Sequence, residues 1–236
     1  MKKIALVTGA NKGIGIEIVK QLGEAGWKVI LGARSVERGE AAVSELTSMG
    51  LDVEFVQIDM RDLKTIEIAA DTINKRYPEL KLLINNAGMP GAFSRSFMET
   101  KEEDLRNAFE VNFFGTFRLN QRLFPLIKDN EGTVVNVSTD MASLDHMQNA
   151  EFTLNAFDYN SSKTANNAMT LSMAYEVRNS RAQVFAVTPG FTSTDLNGNA
   201  AGGKSKEAAA AIIVGYATDG KRHNAEFLDE KGIYAW

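Results

Sequence analysis

The chain has 236 residues, 44% hydrophobic and 24% charged, a balance ordinary for a soluble globular protein. Its 30 acidic residues outnumber 26 Lys and Arg, giving a net charge of -4, and the cations are scattered, which disfavours a nucleic-acid partner. There is no cysteine, so disulfides, thiolate nucleophiles and Cys-ligated zinc are excluded, and two histidines, His146 and His223, leave little for the usual proton-transfer chemistry.

No linker-like stretch divides the chain, so a single domain over residues 1–236 is expected. The opening MKKIALVTG has too short an apolar run for a signal peptide, and AAAAIIV (208–214) falls far short of a membrane span. The expectation is a cytoplasmic protein without membrane or metal.

Residues 3–8 (KIALVT) read as a buried strand running into a glycine loop. Ile14, Ile18 and Leu22 then recur at the spacing of a helix face. Strands follow at Lys28–Ala33, Val53–Ile58, Leu82–Asn85, Thr133–Val137 and Val184–Thr188. Helices are expected over 36–48, 62–75, 101–128 (as one or two) and 158–179. Alternating strands and helices argue for a parallel sheet covered on both faces, and the near-continuous apolar strands agree. Ligands of such sheets bind beyond the carboxyl ends of the strands. NGNAAGG (197–203) is the one flexible-looking stretch, either a mobile lid or a plain surface loop.

The first strand runs into TGANKGIG, where glycines at 9, 13 and 15 allow a sharp turn and close approach to a pyrophosphate. A glycine turn without a ligand is the alternative. The second strand ends in LGARS (31–35), with no acid for a ribose 2′-hydroxyl. Arg34 and Lys12 suit a 2′-phosphate instead, unless Arg34 is merely a solvated cation. Asp59 either accepts from an adenine amino group or caps the next helix. The amides of Asn85-Asn86-Ala87-Gly88 can hold backbone carbonyls and leave room for a ribose, or form a bare turn. Tyr159 and Lys163 of YNSSK lie one helical turn apart. An ammonium beside a phenol lowers its pKa, and a drop of about three units takes roughly 4 kcal/mol, more than one exposed lysine supplies. On that reading the site is partly buried or holds further positive charge.

TGANKGIG (8–15), NNAG (85–88), VNFFGT (111–116), NVS (136–138), YNSSK (159–163) and PGFTST (189–194) occur in one order. In this the chain resembles the short-chain dehydrogenase/reductase family along nearly its whole length. LGARSVERG, DM (59–60) and EFLDEKGIYAW look most like its NADPH-dependent carbonyl reductases. The resemblance implies an α/β fold with a Rossmann-like, doubly wound, seven-stranded parallel sheet. It implies a tetrad of Asn112, Ser138, Tyr159 and Lys163. Tyr159 would protonate the carbonyl oxygen, Ser138 hold it, Lys163 bond the nicotinamide ribose and lower the Tyr pKa, and Asn112 anchor a proton-relaying water. The implied NADPH site comprises Gly9, Asn11, Lys12, Gly13, Ile14, Gly15, Arg34, Asp59, Met60, Asn86, Ala87, Gly88, Tyr159, Lys163, Pro189, Gly190, Thr192 and Thr194.

The expected reaction is reduction of a small-molecule ketone or aldehyde. An NAD-dependent alcohol dehydrogenase and a dinucleotide-sensing module without chemistry are the alternatives. Ser138 and Tyr159 are 21 positions apart, further than in many members. The extra segment, 141–157, is expected to line or cover the substrate pocket, with an outer loop as the alternative. That departure leaves dimer, tetramer and monomer all open. Met89, Phe93, Leu144, Phe152 and Phe191 are the expected apolar walls. Neither His146 nor His223 is given a role.

Overall fold

The computed structural model describes residues 2–92, 96–150 and 156–236. Seven strands lie parallel: β1 (Ile4–Thr8), β2 (Lys28–Ala33), β3 (Val53–Gln57), β4 (Leu80–Asn85), β5 (Thr133–Val137), β6 (Gln183–Val187) and β7 (Phe227–Asp229). An eighth, β8 (Gly232–Ile233), pairs antiparallel with β7, so the sheet order is β3-β2-β1-β4-β5-β6-β7-β8. The seven parallel strands are those the resemblance implies, and β8 is an antiparallel addition at the edge. The added strand exists because Asp229 closes a tight turn: its Oδ1 accepts from Lys231 N at 2.7 Å and Gly232 N at 3.0 Å.

Helices cover both faces, as the strand pattern requires. Along β1, Ala5 and Val7 face one way and Leu6 the other, the two-residue period of a strand buried on both sides. Ala5 and Val7 pack with α1 (Gly13–Glu24), α2 (Val36–Ser48) and α8 (Lys206–Thr218). Leu6 packs with α3 (Leu63–Arg76), α5 (Thr116–Asp129) and α7 (Phe157–Glu176). Each fully buried Leu, Ile or Val side chain here contributes roughly 1.5–3 kcal/mol.

Between α4 (Glu102–Phe109) and α5 the helix does not simply break in two, as the pattern over 101–128 allows. It widens into a π-helical turn, Glu110–Gly115. Such turns frequently mark functional sites. A Cβ on Gly115 would lie 2.4 Å from Met60 O, so glycine is what lets this turn press against the end of β3. A short helix, α6 (Leu144–Asn149), stands in the segment before α7. No helix among the described residues is long and apolar enough to cross a membrane.

The strand order changes direction at β1, with β2 on one side and β4 on the other. Crevices at such reversals, beyond the carboxyl ends of the strands, are where ligands of doubly wound sheets bind.

Candidate active site

At the reversal, the ends of β1 and β4 are stitched together. Thr8 Oγ1 accepts from Asn86 N at 3.1 Å and Ala87 N at 3.0 Å. Asn86 Nδ2 donates to Thr8 O at 2.9 Å and Gly9 O at 3.1 Å, so this amide does hold backbone carbonyls. Gly9 has φ +63°, and a Cβ there would sit 2.7 Å from Ala87 Cα. Gly13 opens α1 with φ +62° and nothing within 4 Å of a Cβ. The N-cap residue, Lys12, makes no side-chain capping bond. The first amides of α1 therefore lack a side-chain partner, at the helix end that favours an anion.

A cleft of about 1020 Å³ runs from this loop to α7. All eighteen residues expected at the cofactor line it, from Gly9, Asn11, Lys12, Ile14 and Gly15 to Pro189, Gly190, Thr192 and Thr194. Arg34 is exposed at its rim, and no described side chain pairs with its guanidinium. Lys12 differs: its Nζ forms an ion pair with Asp195 at 3.0 Å, across the cleft mouth. Asp59 does not cap α3. Asp62 does, accepting from Lys64 N, while Asp59 Oδ1 accepts from Arg61 N at 3.0 Å in a local turn. The 197–203 stretch closes on itself, its ends tied by the Thr192–Lys204 bridge and by Ser193 Oγ donating to Ala200 O at 2.6 Å.

Ser138, Tyr159 and Lys163 line the same cleft. Lys163 is buried and donates to Val137 O at 2.9 Å, the carbonyl just before Ser138. Ser138 Oγ donates to Asn167 Oδ1 at 2.7 Å. Asn112 does not line the cleft. It is wholly buried in the π-helical turn, accepting from Met89 N at 2.8 Å and donating to Ser162 Oγ at 3.0 Å. A Cβ on Gly88 would lie 3.3 Å from Asn112 Oδ1 and 3.6 Å from Lys163 Nζ, so the missing side chain lets the two approach. Behind them Asn85 Nδ2 donates to both Asn120 and Asn136, and Asn166 Nδ2 donates to Asn112 O. This buried amide network was not anticipated. Its one legible signal is that Asn166 and Asn167 stand three and four positions beyond Lys163, on the same helix face.

Burial pushes the Tyr159 phenol up to about 12, and the Asp140 carboxylate adds to the rise. Burial brings the Lys163 ammonium down to about 8. In the protein without cofactor, desolvation sets the net direction of the Tyr159 shift. At neutral pH Tyr159 keeps its proton and Lys163 most of its charge.

On the far side, Met89 and Phe191 line the cleft as expected, whereas Leu144 is 62% exposed and does not. Phe93 and Phe152 lie outside the described residues. From the extra segment, Met141 and His146 reach the cleft. Neither histidine is a freely solvated loop residue. His223 is buried, its ring nitrogens 2.8 Å from Glu226 and 3.0 Å from Asp219, a structural tie between α8 and β7.

A doubly wound parallel sheet, with an uncapped glycine-rich helix start at its reversal, defines a Rossmann-like protein of the kind that binds dinucleotides. The family model described as short chain dehydrogenase matches residues 3–204, and the chain belongs to that family. The chain is 31% identical to short-chain dehydrogenase anuI of Penicillium roqueforti over 229 residues, covering 93% of this chain and 90% of that protein. It is 43% identical to carbonyl reductase [NADPH] 1 of Homo sapiens over 140 residues, 59% of this chain and 50% of the human protein. It thus spans about half the length of the carbonyl reductases it matches. The fold superposes on NADPH-bound carbonyl reductase from chicken fatty liver with a TM-score of 0.86, covering 100% of this chain and 99% of that one at 23% identity.

Proposed function

We propose that this chain reduces a small-molecule ketone or aldehyde with NADPH, within one domain spanning residues 1–236. NADPH, when bound, supplies the hydride. The fit of the residues to this cofactor rests on the uncapped start of α1, the left-handed Gly9 and Gly13, and the unpaired Arg34 where an NAD-specific site would carry an acid. The similarity to carbonyl reductase [NADPH] 1 supports the same reading.

Tyr159 is the general acid. With its pKa pushed up to about 12 it holds a proton at neutral pH, ready for an oxygen that becomes more basic as the carbonyl is reduced. Ser138 holds that oxygen, its own hydroxyl steadied by Asn167. Lys163 bonds the nicotinamide ribose and passes a proton to Tyr159 after turnover. Asn112, close to Lys163 across Gly88, anchors the water that replenishes it. Asp59 meets the adenine, and Arg34 the 2′-phosphate. The observation that carries the proposal is that Ser138, Tyr159 and Lys163 share one cleft with the glycine loop and Arg34.

The test is NADPH oxidation against a panel of apolar ketones and aldehydes, with Tyr159→Phe run beside the wild type. The variant is expected to lose about 10²–10⁴-fold in kcat while binding NADPH as before. Turnover unchanged in the variant removes Tyr159 as the acid. NADPH binding with no reduction of any member of the panel favours a sensing module instead.

A further inference from the structure

His146 lies on α6, in the segment that separates Ser138 from Tyr159. Its position is fixed from two directions. Ser143, wholly buried, caps α6 by accepting from His146 N at 3.0 Å. The segment after β8 clamps the same helix: Asp145 N donates to Trp236 O at 3.2 Å, and Tyr234 Oη lies 2.9 Å from His146 Nδ1. Tyr234 is itself held, its N–H donating to Phe227 O at 2.7 Å and its ring meeting Phe227 edge-on at 5.4 Å between centroids. A merely solvated loop histidine needs none of these restraints.

Burial first, then the carboxylates of Asp140, Asp229 and Asp145, raises the Tyr234 pKa, so the phenol keeps its proton and is able to donate it to Nδ1 at 2.9 Å. A neutral imidazole in that arrangement carries its own proton on Nε2. Among the described residues nothing pairs with Nε2, and His146 lines the cleft together with Ser138, Met141 and Tyr159.

We propose that His146, oriented by Tyr234, is a specificity-determining donor that binds a second acceptor oxygen on a carbonyl substrate that carries no negative charge. This rests on the carbonyl-reduction reading above and names the substrate feature that reading leaves open. The restriction to substrates without negative charge comes from Asp140. Its carboxylate lines the same cleft, with Oδ1 held by Met141 N at 2.9 Å and Thr139 Oγ1 at 3.0 Å. A carboxylate on the substrate would be repelled by it.

The test pairs 2,3-hexanedione with 2-hexanone, which share a carbon chain and differ in the second oxygen. Each variant is compared with wild type on the same compound, which cancels the difference in intrinsic reactivity. His146→Leu is expected to lower kcat/KM for the diketone about tenfold more than for the monoketone, mainly through KM. Tyr234→Phe keeps the ring and loses only the orienting hydroxyl, so it should give a smaller loss with the same substrate dependence. Equal losses on both ketones, or none on the diketone, overturn the proposal. If the wild type reduces neither compound, the carbonyl-reduction reading fails separately. Calorimetric titration of the NADP⁺-loaded protein with the diketone then decides His146. Weaker binding in His146→Leu supports the donor, whereas no binding to wild type or unchanged affinity overturns it.

Discussion

The two sides of the cleft are built from different material. The side around the start of α1 is mostly backbone: strand ends, left-handed glycines at 9 and 13, and backbone carbonyls tied by Asn86. The side beyond Tyr159 is mostly side chains brought from distant segments, and its pair Tyr234 and His146 are 88 positions apart. The first side is dictated by where the chain must pass closest to itself. Gly9 tolerates no Cβ because Ala87 Cα stands in its place. The second side is dictated by how an inserted helix and the segment that follows the turn at Asp229 pack together.

That difference predicts a cofactor effect that is local and large. Arg34 follows the end of β2, and its guanidinium has no side-chain partner among the described residues. Arg34→Ala should weaken NADPH binding by about 10- to 100-fold, the worth of charge-assisted bonds to a phosphate, and NADH by about twofold or less. Fluorescence titration of both cofactors at one ionic strength measures this. An equal loss for the two would take Arg34 away from the 2′-phosphate and leave Lys12 as the one cation of the glycine-loop side suited to it.

The same contrast decides what could be read from the sequence. Glycine spacing after β1 and the four-residue step from Tyr159 to Lys163 were legible because backbone sterics and helical period act over a few residues. The parallel strands were legible because burial on both faces leaves continuous apolar runs. By contrast α8 escaped notice, its alanine-rich stretch giving little contrast between faces, and β7 spans only three residues. The partners of His146 and His223 were not legible for one reason: they are set by the folded arrangement, and a lone histidine in a sequence carries no sign of them. The net upward shift of Tyr159 in the protein alone was also not legible. Spacing reveals the neighbouring ammonium but not how thoroughly both groups are buried.

Lys163 ties the two sides together, and its titration should show it. Burial depresses its pKa to about 8, so it is charged below that pH and neutral above it. If the ammonium is what bonds the ribose, kcat/KM for NADPH, which reports groups of the free enzyme, should hold steady below about pH 8. Above it the value should fall about tenfold per pH unit. Lys163→Arg should remove this descending limb, since a guanidinium stays charged throughout that range. A wild-type profile flat through pH 9.5 would mean that the charge on Lys163 plays no part in taking up the cofactor.

The smallest expected effect lies where the two sides touch. Lys12, from the glycine loop, pairs at 3.0 Å with Asp195, 183 positions further along, and both side chains are more than half exposed. Lys12 is also one of the two cations suited to a 2′-phosphate, so the carboxylate and the cofactor compete for one ammonium. Lys12 lowers the Asp195 pKa, so the carboxylate stays ionised through the neutral range and the competition persists there. Asp195→Asn should therefore tighten NADPH binding, by only about threefold because exposed ion pairs are weak, and the gain should shrink as salt screens the pair. NADH, without the 2′-phosphate, should respond less. Weaker binding of both cofactors in the variant would give the pair the opposite role, a clasp that closes the cleft mouth over the bound dinucleotide.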